Sequence, residues 1–159
     1  MILVLLGTQN NSFHRLLEEI QKNIDNGIIK EDVVVQKGYT KFESKDMTLY
    51  NQLHLDEIEK LIDNANLVIT HGGVGSIIDS IQKGKKVIAV PRLKKYNEHV
   101  NDHQLDIVKS FNELGYIIGL NDVNELEDAL KNVQNFEPQK YIKNTGKILK
   151  IVEDFIEKN

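Results

Sequence analysis

Four short, almost wholly apolar runs punctuate the chain: MILVLL at 1–6, DVVVQ at 32–36, LVIT at 67–70 and KVIAV at 86–90. Gly7 ends the first, Gly38 closes the second, His71-Gly72-Gly73 follows the third and Pro91 ends the fourth. Continuous apolar runs without alternation mark strands buried on both faces, as in a parallel sheet. Between the runs the apolar spacing becomes helical. Phe13, Leu16, Leu17, Ile20 and Ile24 line one helix face, with Ser12 placed to cap the helix and Asn26-Gly27 to stop it. Such alternation predicts an α/β fold, a Rossmann-like doubly wound parallel sheet with helices on both faces.

The remaining punctuation extends this pattern. Asp56 with Glu59 reads as a capping box opening a helix over 57–64. A helix over 74–83 stops at Gly84, and another over 103–114 stops at Gly115. A short strand at 116–119 precedes a helix over 122–133, capped by Asn121 or Asp122, and Pro138 fits the start of a last helix. Residues 39–55 carry no clear pattern. No repeat, low-complexity tract or linker interrupts the 159 residues, so one domain over 1–159 is expected.

Apolar residues make up 40% of the chain and charged residues 28%, a globular balance. The net charge of -4 argues against a general nucleic-acid binder. Absence of cysteine rules out disulfides and fits a reducing, cytoplasmic setting. The run at 1–6 has no basic residue before it and no small-residue cleavage site after it, so it reads as a buried strand rather than a signal peptide. No run approaches the roughly 18 residues of a membrane span.

In an open parallel sheet, ligands bind where the strands end. The loop Gly7-Thr8-Gln9-Asn10-Asn11-Ser12 and the loop His71-Gly72-Gly73-Val74-Gly75-Ser76 each run from a strand into a helix. Glycines let backbone approach an anion, and helix N-termini supply free N–H groups, so the pair could cradle a diphosphate. Asp79 lies one turn further on, where a carboxylate can accept hydrogen bonds from a ribose diol. His99 and His103 stand four apart as a conceivable metal pair, but no third ligand is evident. The basic stretch 92–96 (RLKKY) reads either as a contact for lipid headgroups or an acceptor pyrophosphate, or as a solvated loop.

These residues carry a family resemblance. HGGVGSIID at 71–79, GKKVIAVP at 84–91 and HQ at 103–104 resemble the donor-binding box of GT-B glycosyltransferases. With GTQ at 7–9 and EHVNDHQ at 98–104, the chain is most similar to the C-terminal domain of glycosyltransferase family 28. It is most similar of all to the stand-alone members: the catalytic subunit of the N-acetylglucosaminyltransferase of asparagine-linked glycosylation, and bacterial capsule and exopolysaccharide subunits. The resemblance implies the donor half of a GT-B enzyme, binding a UDP-sugar. Gly7, Thr8, Gln9, His71, Gly73, Gly75 and Ser76 would hold the diphosphate, and Asp79 the ribose. Backbone near Leu53 and His54 would face the uracil, while Asp102, His103 and Gln104 would face the sugar. Asp79 stands where most members have Glu, and Lys86 replaces a common proline.

The resemblance also implies inverting transfer of a hexose or N-acetylhexosamine to a lipid-linked glycan acceptor in surface polysaccharide or glycan synthesis. No metal or other cofactor is expected. A membrane-associated subunit would supply the acceptor half and hold this chain, otherwise cytoplasmic, at the inner face of the membrane. The general base is unplaced: His14 is a candidate in this chain, and the acceptor half is the alternative. The rival readings are a non-catalytic UDP-sugar-binding regulatory or scaffolding subunit, a UDP-N-acetylglucosamine 2-epimerase and a dehydrogenase-like domain. The chain is too short for the epimerase. GTQNNS at 7–12 is not G-x-G-x-x-G, and no acidic residue ends the second strand, which argues against the dehydrogenase.

Overall fold

A computed structural model describes the backbone of residues 1–143 and 145–158, with side chains to residue 154. The elements are β1 (Ile2–Leu5), α1 (His14–Asp25), β2 (Val33–Gln36), β3 (Met47–Tyr50), α2 (Leu55–Asn64), β4 (Leu67–His71), α3 (Val74–Gln82), β5 (Lys86–Val90), α4 (His103–Glu113), β6 (Ile118–Gly119), α5 (Leu126–Asn132) and α6 (Gly146–Lys158). Single turns of tighter helix lie at Lys94–Tyr96, Val123–Glu125 and Val133–Asn135. The strands form one sheet in the order β3-β2-β1-β4-β5-β6, every pairing parallel, with Val4 level with Val35 on one side and Ile69 on the other.

Successive strand residues point to opposite faces, so the apolar runs feed two cores. On one face Ile2, Val4, Leu6, Val33, Val35, Ile69 and Val90 pack under Leu16, Leu17 and Ile20 of α1 and Leu126 and Ala129 of α5. On the other, Leu3, Leu5, Val68, Val87 and Ala89 meet Ile62 of α2, Ile77 and Ile81 of α3, Ile107, Val108 and Phe111 of α4 and Ile148 of α6. Each aliphatic side chain removed fully from water contributes about 1.5–3 kcal/mol, which is why the wholly buried β1 and β4 sit at the centre.

Several local expectations are corrected. Residues 39–55 contain a strand, β3, with Met47 buried and Thr48 and Tyr50 exposed, the alternation of an edge strand with one wet face. The box at α2 lies two residues earlier than read: the His54 N–H donates to Glu57 Oε1 at 3.2 Å, and Asp56 is inside the helix. Ser12 is exposed and does not cap α1. Phe13 occupies that position, and its N–H donates to Thr40 Oγ1 at 2.9 Å. Asp122 does cap, accepting from the Val123 N–H at 2.6 Å, but the helix begins as a tight turn. Pro138 does not open the last helix, which starts at Gly146. The chain there runs extended, held by the Gln139 N–H donating to the Gly115 carbonyl at 2.9 Å. Lys86, in place of the common proline, has a structural part: its ammonium donates to the carbonyls of Val133 and Gln134 and satisfies the end of the tight turn after α5.

Candidate functional site

β1 and β4 are neighbours whose chains leave in opposite directions, β1 through α1 to β2 and β4 through α3 to β5. A crevice therefore opens between the two loops at their carboxyl ends, the switch point where open α/β sheets bind ligands. Gly7 has φ +81°, a conformation that side chains resist, and a Cβ there would lie 2.6 Å from His71 Nε2. A Cβ on Gly73 would collide with the same ring. Both glycines thus make room for His71, while a Cβ on Gly75 would meet nothing. The loops expected to meet do meet, with His71 as the contact.

His71 is buried, and its protonation is set by Gln104. Gln104 Oε1 accepts the N–H groups of Gly72 (2.9 Å) and Arg92 (3.1 Å), so the amide nitrogen faces His71 Nδ1 at 3.0 Å. Two backbone donors on one oxygen identify the two ends of the amide. Nδ1 must accept, and the proton of the neutral ring sits on Nε2, beside Gly7 and 3.4 Å from Ser76 Oγ. Burial, reinforced by the positive charge of Arg92, pulls the ring pKa down to about 3. His71 is therefore a fixed neutral N–H donor at neutral pH and not a proton acceptor.

Around it lie unpaired backbone donors. Among the described residues the N–H groups of Gly7, Thr8, Gln9 and Asn10 have no protein partner. Helix geometry leaves those of Val74, Gly75 and Ser76 free at the start of α3, the first intrahelical bond being Ile77 N–H to Gly73 O at 3.1 Å. A row of amides, a helix N-terminus and an imidazole N–H converging at a strand switch point is an anion site.

The other expected residues distribute as follows. Asp79 is exposed on α3, but its carboxyl is partly desolvated against the protein, and this together with the charge of Glu59 of α2 raises its pKa. Leu53 is half-buried and His54 exposed at the entry to α2, beyond β3. Asp102 accepts from the Lys94 N–H at 2.8 Å, and the His103 N–H donates to Asn101 Oδ1 at 2.9 Å. Gln104 has a part the sequence did not show: each end of its amide is bonded within the protein, and it positions His71. His14 is exposed, 2.8 Å from Glu18 and edge-on to Phe42. His99 Nδ1 accepts from the Asn101 N–H at 3.3 Å, and the described residues contain no group of three or more His, Asp or Glu able to hold a metal.

The reading of Arg92 is corrected: it is interior, not part of an exposed basic stretch or solvated loop. The basic stretch divides: Arg92 is 1% exposed, whereas Lys94, Lys95 and Tyr96 are on the surface. Its guanidinium donates to the carbonyls of Leu6 (2.5 Å), Asn11 (2.8 Å) and Glu98 (3.1 Å). Burial lowers its pKa to about 10, and it stays charged at neutral pH. The buried Glu98 carboxylate accepts from Arg15 Nε (2.7 Å) and the Leu93 N–H (3.0 Å). Arginine directly after a buried strand was the available signal.

The sheet order and switch-point loops define a Rossmann-like nucleotide-binding type of domain. The chain belongs to the glycosyltransferase family 28 C-terminal domain, whose family model matches residues 1–158. Similar curated proteins are UDP-N-acetylglucosamine transferase subunit ALG13 of Candida albicans, 30% identical over 66% of this chain and 34% of the relative, and that of Candida glabrata, 30% identical over 68% and 52%. The chain thus spans a third to about half of these relatives' length. Among solved structures, an ALG13 solution structure aligns with TM-score 0.60 at 18% identity, covering 95% of this chain and 93% of that one. MurG of Acinetobacter baumannii aligns with TM-score 0.57 at 18% identity, over 98% and 49%. At such identities the likeness to the solved structures is one of fold.

Proposed function

We propose that the chain is the donor-binding, catalytic subunit of an inverting glycosyltransferase that moves a hexose or N-acetylhexosamine from a UDP-sugar to a lipid-linked acceptor. The observation that carries this is the crevice between β1 and β4, where unpaired amides of residues 7–10, the start of α3 and the Nε2–H of His71 converge. Negative charge grows on the diphosphate as the glycosidic bond breaks. Preorganised neutral donors stabilise that charge without themselves losing a proton. The exposed carboxylate of Asp79 takes the ribose diol, the entry to α2 near Leu53 and His54 faces the uracil, and the Asp102–His103 turn faces the sugar. N-acetylglucosamine is the sugar named for the ALG13 relatives and the first to test.

The donors are enough for the leaving group, so no metal is needed. The acceptor and its site come from a membrane-associated partner, which also brings this chain to the inner face of the membrane; no helix among the described residues is long and apolar enough to cross one. Bacterial surface polysaccharide is the proposed setting. His71 is too weak a base to take the acceptor proton, leaving His14 or a partner group. Loss of turnover on His14→Ala with donor affinity kept would assign the role to His14. That His71 cannot serve as the base is also what favours the rival reading, a UDP-sugar-binding subunit without catalysis.

The test is calorimetric titration of the chain with UDP, with ADP and NAD as controls, in the presence of EDTA. Selective UDP binding weakened at least tenfold by Asp79→Ala supports the donor half. Equal binding of the three nucleotides, alone and with the partner, sinks it. Turnover by the reconstituted pair then separates catalysis from scaffolding.

A further inference from the structure

Arg92 is the residue the site's chemistry does not yet use. Its side chain lies wholly inside the protein, yet it bonds no carboxylate. Its donors go to three main-chain carbonyls from separate stretches of chain: Leu6 and Asn11 through Nη2 and Nη1, and Glu98 through Nη1. Leu6 and Asn11 immediately flank residues 7–10, whose amides have no protein partner among the described residues. The guanidinium thus grips both ends of that loop from beneath. The backbone N–H of Arg92 donates to Oε1 of Gln104, the amide whose nitrogen orients His71, and the charge of Arg92 helps keep His71 neutral.

We infer that Arg92 is a positioning residue for the donor diphosphate, a buried key that holds the carbonyls of Leu6 and Asn11 inward so that the amides of residues 7–10 stay turned toward the crevice. This rests on the donor-half reading. A planar fork with several donors suits the task, because it satisfies divergent carbonyls from one rigid plane; a lysine ammonium would have to choose among them. Phe13 lies under the guanidinium at 5.1 Å and limits its motion. Asn11 Nδ2 donates to the Asn97 carbonyl at 3.0 Å, a second tie between the same loops. Peptide units are rigid, so turning a carbonyl outward turns the next N–H inward. Releasing the Leu6 carbonyl would therefore turn the Gly7 N–H away from the crevice, and releasing that of Asn11 would free the other end of the loop, so the donors disperse without any being removed.

Arg92→Lys is the decisive variant, with Arg15→Gln as a control that breaks the outer ion pairs to Glu98 and Asp122 but leaves the guanidinium of Arg92 in place. For each, UDP affinity is measured by calorimetry, and amide resonances of Gly7, Thr8, Gln9 and Asn10 are followed by NMR in the free protein. Arg92→Lys is expected to lose UDP affinity tenfold or more and to broaden or shift those four amides while those of α5 stay put. Arg15→Gln is expected to lower Tm yet keep UDP affinity within twofold. Affinity within twofold for Arg92→Lys with unmoved loop amides overturns the inference, as does an equal affinity loss in both variants at matched loss of Tm. Should Arg92→Lys not fold, the wild type decides. Separate, slowly exchanging Arg92 Nη–H signals with couplings to the Leu6 and Asn11 carbonyl carbons support the key, and one averaged signal refutes it. A wild type that binds no UDP, alone or with its partner, indicts the donor-half reading instead, and the loop amides then judge Arg92 on their own.

Discussion

Gln104 shows how one amide can govern a site it does not enter. It satisfies the Gly72 and Arg92 N–H groups and directs the His71 proton to Nε2. Gln104→Ala would leave these buried groups unmatched, and each orphaned polar group costs about 1–3 kcal/mol. We therefore expect a loss on the order of 3 kcal/mol in denaturant unfolding, larger than that of a typical surface change. A mere loss of sugar discrimination at unchanged stability would contradict the positioning role. Acid should act through His71. Its pKa falls from 6.5 in the unfolded chain to about 3 in the folded one, so unfolding takes up a proton that folding excludes. The resulting stability is complete above about pH 6.5 and is lost progressively as pH falls toward 3. His99 is shifted in the same direction by burial and by Arg92. His71→Asn should flatten this acid limb in urea titrations across pH 4–7, by on the order of a few kcal/mol. The positions of Gly7, His71 and Gly75 could be read from the sequence, because glycines after a buried strand have few other uses. The partnering of Gln104 and the burial of Arg92 could not, because most of their bonds join residues from 12 to 86 positions apart in sequence.

The loop after β1 and the helix after β4 act through backbone rather than side chains, so substitutions that change backbone geometry should outweigh those that change chemistry. Gly7→Ala meets both φ +81° and the His71 ring. It should cost more than the roughly 1–2 kcal/mol of a left-handed conformation and abolish detectable UDP binding, whereas Gly75→Ala, with open space, should fold normally. Circular dichroism melts and calorimetry on the pair check this. The entry to α2 makes a milder case: Glu57→Ala removes the acceptor of the His54 N–H at 3.2 Å and should cost at most about 1 kcal/mol in a thermal melt. β3 escaped notice because its one-sided burial at the sheet edge needs only Met47 and Leu49 to be apolar, too few to stand out among polar neighbours.

The two cores and the crevice belong to one sheet, so ligand binding and global stability should be coupled. At UDP concentrations about 100 times Kd the folded state gains about 2.7 kcal/mol, which for a chain of this size corresponds to a Tm rise of roughly 5–10 °C. ADP at the same concentration should give little. A uniform rise with both nucleotides would point to general anion binding by the loops, and no rise with either would mean that the folded chain alone binds neither.

From the sequence alone came the α/β class, the strands at β1, β2, β4 and β5 and the two loops that face each other, because those features follow from local burial periodicity and from the backbone freedom of glycine. Tertiary structure alone decided that His71 is a neutral donor, that Gln104 orients it, and that Arg92 is interior. Each of those depends on which distant groups share one buried volume, where an unpaired polar atom is costly and the partners are chosen by the fold.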